Sequence, residues 1–81
     1  MMKLWFILYS GTHAVGVWGP LPYDMEECMR RAHDRRVEID LVTTLGVGTD
    51  GEEIPEDVVT EMKRWTVSCE YRDKKPVIHG R

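Results

Sequence analysis

KLWFILYSGTHAVGVW, residues 3–18, decides the fold. Two apolar runs meet at Gly11-Thr12. A glycine at the first central position supplies the positive φ of a type II′ turn, whose twist matches that of the strands it joins. A two-residue turn there predicts a regular hairpin. Tyr9 then faces Ala14, Leu8 faces Val15, Ile7 faces Gly16, Phe6 faces Val17 and Trp5 faces Trp18. Side chains alternate between the faces of a strand. One face therefore carries Leu4, Phe6, Leu8, Val15 and Val17, and the other Trp5, Ile7, Tyr9, Ala14 and Trp18. Both faces are apolar. A single layer of helix covers one face of a small sheet, so the face left over is the clue to a partner.

Downstream, Gly19-Pro20-Leu21-Pro22 stops the sheet and turns the chain. Asp24 reads as a helix N-cap, with Glu27 three residues on to complete a capping box. Met25, Cys28, Met29 and Ala32 recur at helical spacing. Acids gather early (Asp24, Glu26, Glu27) and arginines late (Arg30, Arg31, Arg35, Arg36), which suits the helix dipole. The spacing predicts a helix over 24–36. Residues 37–45 fit two readings. Val37, Ile39 and Leu41 alternate as in a strand, whereas Ala32, Ile39, Val42 and Leu45 continue the helical stripe with no breaker before Gly46. The second reading, one long helix, is preferred. Three glycines make 46–51 a loop. Pro55 opens a short second helix within 52–65, with Val58, Val59, Met62 and Trp65 as its inner face. Residues 66–72 alternate as a third strand, with Val67, Cys69 and Tyr71 on one face. The expected architecture is α+β: an antiparallel sheet of three or more strands, with an N-terminal hairpin and one main helix packed on one face.

Eighty-one residues make one small domain. A chain near that size buries only about 60% of its unfolded surface, so its core is modest. With 42% apolar and 31% charged residues the chain is globular rather than disordered. A net charge of −3 argues against direct nucleic-acid binding. The apolar run over 4–9 is too short to span a bilayer and lacks a cleavage site, so neither membrane insertion nor secretion is expected. The expected compartment is the cytoplasm.

Cys28 lies on the helical stripe and Cys69 on the apolar face of the third strand. If that helix packs on that sheet, the two are core neighbours. A reducing cytoplasm opposes a bond between them, and buried thiols behave as small hydrophobes, so a disulfide and a plain core pair both stand. His13, His33 and His79 are scattered and pair with no ligand at metal-binding spacing. No nucleophile–base arrangement or phosphate-binding loop occurs, so neither a catalytic residue, a metal nor a cofactor is expected, and the chain is not read as an enzyme. Asp50, Glu52, Glu53, Glu56, Asp57 and Glu61 run together without a base. They form either a solvated face or a patch that docks on a basic groove. The arginines at 30–36 are either the polar flank of the helix or partners for that run, within the molecule or in a neighbour. Trp5, Tyr9 and Trp18 are either core or exposed anchors, since Trp and Tyr are favoured at binding hot spots.

The order of Leu4-Trp5-Phe6-Ile7-Leu8, Leu21-Pro22-Tyr23-Asp24-Met25-Glu26-Glu27-Cys28 and Val67-Ser68-Cys69-Glu70 with Pro76 behind resembles that of small phage and prophage proteins. Some short acidic phage proteins of this size are similar to anti-CRISPR proteins, which act by binding rather than by chemistry. The resemblance implies a phage inhibitor in the bacterial host cytoplasm. Its partner would be a protein with a basic nucleic-acid-binding surface, and the chain itself a monomer or weak homodimer. The contact residues expected on the residue reading are Trp5, Tyr9, Trp18, Asp50, Glu52, Glu53, Glu56 and Asp57. The alternative is a phage accessory or regulatory protein that self-associates through its aromatic sheet face.

Overall fold

Gly11 takes a φ of 63°, as the first central position of a type II′ turn requires, and no other residue type in the chain has a positive φ among the described residues. The structure, a computed structural model, describes residues 1–78; His79 lies outside them. The turn joins β1 (Lys3–Ser10) to β2 (His13–Trp18). After α1 (Met25–Leu45) and α2 (Glu56–Met62), β3 (Trp65–Arg72) returns antiparallel to β1. The sheet order is β2-β1-β3, which makes β1 the central strand. The fold is α+β, as the hydrophobic patterning predicts.

The hairpin register departs from the regular one. Ser10 pairs with His13 and Tyr9 with Ala14, but Leu8 then pairs with Gly16, Ile7 with Val17 and Phe6 with Trp18. Val15 is the extra residue of a β-bulge, and every side chain beyond it changes face. Trp5 and Trp18 are therefore not cross-strand neighbours. Val17 joins the Trp5 face, and Trp18 moves to the face of Leu4, Phe6 and Leu8. Gly16 makes the move possible. A Cβ there would lie 2.6 Å from Trp18 Cη2, so only glycine leaves room for the ring. The ring meets Phe6 edge-on, with centroids 5.8 Å apart, a favoured aromatic geometry.

One helix spans 25–45, and the β-branched run 37–45 stays helical. Asp24 caps its start, accepting from Glu27 N at 3.1 Å. Glu27 does not answer as the second half of a capping box: its carboxylate accepts from Arg30 and Arg31 instead. Gly46 ends the helix in the left-handed conformation, donating from its N–H to Val42 O at 2.8 Å. The helix lies on the Leu4–Phe6–Leu8 face, as expected. The Sγ atoms of Cys28 and Cys69 are bonded, with the α-carbons 6.2 Å apart, so the core pair is a disulfide. Arg36 donates to Val67 O on β3 at 3.3 Å. Even so, α1 buries few side chains: Cys28, Ala32 and Val42.

The opposite face is not left open. Trp5 is 4% exposed and Ile7 fully buried, and together with Ala14, Tyr9 and Val17 they form the hydrophobic cluster of the sheet. The Trp5 indole N–H donates to Arg72 O at 3.1 Å. The backbone at Gly19 lies against the same ring, where a Cβ would come within 2.8 Å of Cε3. Trp65 also departs from expectation. It opens β3 opposite Ser10 instead of closing the inner face of α2, because α2 ends at Met62 and the chain must return to the sheet edge, where Arg64 O accepts from Gly11 N.

Candidate functional site

Two surface features lie at the margins of α1. The first is a groove of about 620 Å³ between the helix and the β1–β2 half of the sheet. Because α1 sits over β3 and the bulge sends Trp18 to this face, Phe6 and Leu8 stay half-buried and Trp18 is 53% exposed. Leu21, Ile39, Met62 and Trp65 complete the apolar lining. Along the helix rim run Arg31, Asp34, Arg35 and Glu38. Arg31 is held by Glu27 at 2.7 Å and stacks over Tyr23 at 4.5 Å, and Arg35 is held by Glu38 at 2.9 Å. The hydrogen bond from Arg30, then that from Arg31, holds the Glu27 carboxyl below the usual carboxylate range. The rim is thus neutralised within the helix, and the groove offers apolar surface rather than charge.

The second feature is the acidic loop. Val47 and Glu53 form an antiparallel bridge, Gly48 N donates to Glu52 O, and Ile54 N to Gly46 O. Asp50 Oδ1 accepts from Glu52 N at 3.0 Å, tying the tip as an Asx-type turn. The loop is therefore a small hydrogen-bonded hairpin projecting beyond the C-terminus of α1. Asp50, Glu52, Glu53, Glu56 and Asp57 are all exposed. Among the described residues, the carboxylates of Glu52, Glu53, Glu56 and Asp57 form no ion pair. The arginines of α1 do not reach them: Arg30, Arg31 and Arg35 pair with acids of their own helix, and Arg36 donates to Val67 O.

The expected contact residues thus separate. Trp18 and the five acids present themselves to solvent. Trp5 is core, and Tyr9 is half-buried with its hydroxyl donating to Glu70 at 2.7 Å, so neither is an exposed anchor. That hydrogen bond, with burial and the Glu70 charge behind it, pushes the Tyr9 phenol above its ordinary value. Burial pushes the Glu70 carboxyl up, but hydrogen bonds from Tyr9, Arg72 and Ser68 outweigh it and leave it below the usual range. Phe6, Leu8, Leu21, Met62 and Trp65 were not expected at a contact surface. The available signal was Gly16: an interior strand glycine marks a bulge or a close approach, and here it marks both.

No group of three or more His, Cys, Asp or Glu side chains among the described residues is arranged to hold a metal ion. No described helix is long and apolar enough to cross a membrane. Compared with protein-family models, curated proteins and solved structures, the chain finds no match.

Proposed function

We propose that this protein is a stoichiometric inhibitor that docks its acidic loop on a basic, nucleic-acid-binding surface of another protein. The observation carrying this reading is the set of exposed carboxylates at 52, 53, 56 and 57, which find no cation among the described residues, while Arg30, Arg31 and Arg35 of α1 are matched by acids of their own helix. Unpaired surface charge of one sign steers a protein towards the opposite sign and sets orientation on arrival. Trp18, exposed beside Phe6, supplies an aromatic anchor in the groove. The protein acts by occupancy, without catalysis, cofactor or direct nucleic-acid contact.

The finer form of the proposal follows the architectural resemblance. The protein is anti-CRISPR-like and phage-encoded, and it blocks the nucleic-acid channel of a bacterial CRISPR effector complex in the host cytoplasm. The Cys28–Cys69 bond is compatible with that compartment only if exchange with cellular thiols is slow; Cys28 is fully buried, which hinders attack. The test is biolayer interferometry against purified effector complexes at low and high salt. Binding that weakens with salt, and that is lost in the folded variant carrying Glu52→Lys, Glu53→Lys, Glu56→Lys and Asp57→Lys, supports the reading. Unchanged affinity in that variant shows the loop to be merely solvated. The alternative is self-association through the aromatic face, favoured by the exposure of Trp18. It predicts a Trp18-dependent dimer that salt does not weaken.

A further inference from the structure

Helix α1 buries little against the sheet it covers. Of its 21 residues only Cys28, Ala32 and Val42 are buried. Its ion pairs join arginines and acids of the helix itself and add nothing to its hold on the sheet. That hold includes the Cys28–Cys69 bond and the hydrogen bond from Arg36 to Val67 O. The sheet, by contrast, has a core that owes nothing to α1: Trp5, Ile7 and Ala14 cluster with Tyr9 and Val17 on the opposite face. The two cysteines also differ in access. Cys28 has no exposure, whereas Cys69 is half-buried on β3, an outer strand. Its neighbours on the same face grade outward, from Val67 at 5% exposed to Tyr71 at 49%.

From these positions we infer that the disulfide is a redox latch: thiol–disulfide exchange at Cys69 releases α1 and dismantles the groove beside it. The reductant is a cellular thiol or dithiol, and it enters from the Tyr71 end. Its thiolate attacks Cys69 Sγ and forms a new S–S bond there. The Cys28–Cys69 bond breaks, its electron pair passes to Cys28 Sγ, and that sulfur takes up a proton. A second thiolate attacks the reagent's sulfur in the mixed disulfide, and Cys69 leaves and is protonated. Two reagent thiols are thereby oxidised to one disulfide, and the cystine is reduced to two cysteines. Burial of Cys28 confines the exchange to one sulfur, so the latch opens slowly. Most helical stability in proteins comes from packing rather than propensity, so α1 frays once it leaves β3. The groove needs both walls, with Phe6, Leu8 and Trp18 on the sheet and Arg31, Arg35 and Ile39 on the helix. Strand β1 stays paired with β2 and β3, and the sheet outlasts the helix. The inference does not rest on the inhibitor reading, and its test measures no partner binding.

The test uses the full, oxidised chain. Under native conditions it is incubated with excess reduced glutathione, trapped with iodoacetamide and mapped by peptide mass spectrometry. Glutathione is expected on Cys69 and the alkyl group on Cys28. Amide hydrogen exchange is then compared in the oxidised chain, after full reduction with a dithiol, and after reoxidation. Amides of α1 are expected to lose at least about tenfold more protection than those of β1, and to regain it on reoxidation. Cys28→Ala combined with Cys69→Ala is expected to reproduce the reduced pattern. A glutathione adduct on Cys28, or none on either cysteine, overturns the route through Cys69. Protection of α1 that survives both full reduction and the double substitution overturns the latch. So does an equal loss in α1 and β1, which is global unfolding, or a loss that reoxidation does not reverse.

Discussion

Reducing the Cys28–Cys69 bond should remove a large part of the stability of this protein. The bond closes a loop of sequence separation 41. In the chain-entropy treatment, a loop of that length restricts the unfolded state by about 4 kcal/mol at 25 °C. A folded chain of this length is stable by only about 4–12 kcal/mol in all. The loss is felt at α1 first, because the helix buries few side chains and is otherwise tied to β3 by contacts such as the Arg36–Val67 hydrogen bond. The assay is urea unfolding followed by tryptophan fluorescence, with and without a phosphine reductant. With a urea dependence of about 1.3 kcal/mol per molar, the midpoint should fall by roughly 3 M on reduction. Amide hydrogen exchange should show protection lost from α1 before β1. Under reductant, Cys28→Ser should be less stable than Cys28→Ala by about 1–3 kcal/mol, since a hydroxyl enters a site with no exposure. At Cys69, which is half-buried, the difference should be smaller. If reduction shifts the midpoint by less than about 0.5 M, the bond does not constrain the helix and the reasoning fails. Equal stability of the Ser and Ala variants at 28 would show that Cys28 is not in an apolar layer.

Gly16→Val should expel the Trp18 ring, whose Cη2 lies 2.6 Å from the new Cβ. A cost of about 1–3 kcal/mol is expected, with a red-shifted emission relative to the parent, and an unchanged spectrum would show that the ring does not lie over residue 16. The Tyr9–Glu70 hydrogen bond gives stability two pH limits. Glu70 titrates below its unfolded value, so its contribution is complete above about pH 4.3 and disappears as pH falls through the depressed folded value. Tyr9 titrates above its unfolded value, so its contribution is complete below about pH 10 and disappears as pH rises through the raised folded value. Thermal melts across pH should show the alkaline loss flattened in Tyr9→Phe and the acid loss flattened in Glu70→Gln; profiles parallel to the parent would mean the pair does not report on folding. Tyr9→Phe should also cost about 1 kcal/mol at neutral pH.

Local features of this fold are written in short stretches of sequence. Gly11-Thr12 specifies the turn, Asp24 and Gly46 bracket α1, and alternation marks β3, because each is decided by contacts within a few residues. Residues 37–45 are helical despite their β-branched content, since no breaker precedes Gly46. The Cys28–Cys69 neighbourhood also followed from periodicity alone, once helix stripe and strand face were brought into one layer; that the sulfurs are bonded did not.

What tertiary structure decided was the register and the surface. A hairpin can run straight or bulge with the same turn, and the choice rests on whether the Trp18 ring finds room over Gly16 and against Phe6, a question of volume between strands. That one-residue slip moved Trp18 onto the helix-side face beside Phe6 and Val17 onto the Trp5 face, while the faces of β1 stayed as alternation predicts. Whether α1 covers the whole sheet or only β3 likewise depends on where one long-range covalent link places it. Periodicity specifies which residues share a face, because the pleat and the helical turn are properties of the local backbone. It does not specify how far a helix reaches across a sheet, because that is set by packing between residues distant in the chain.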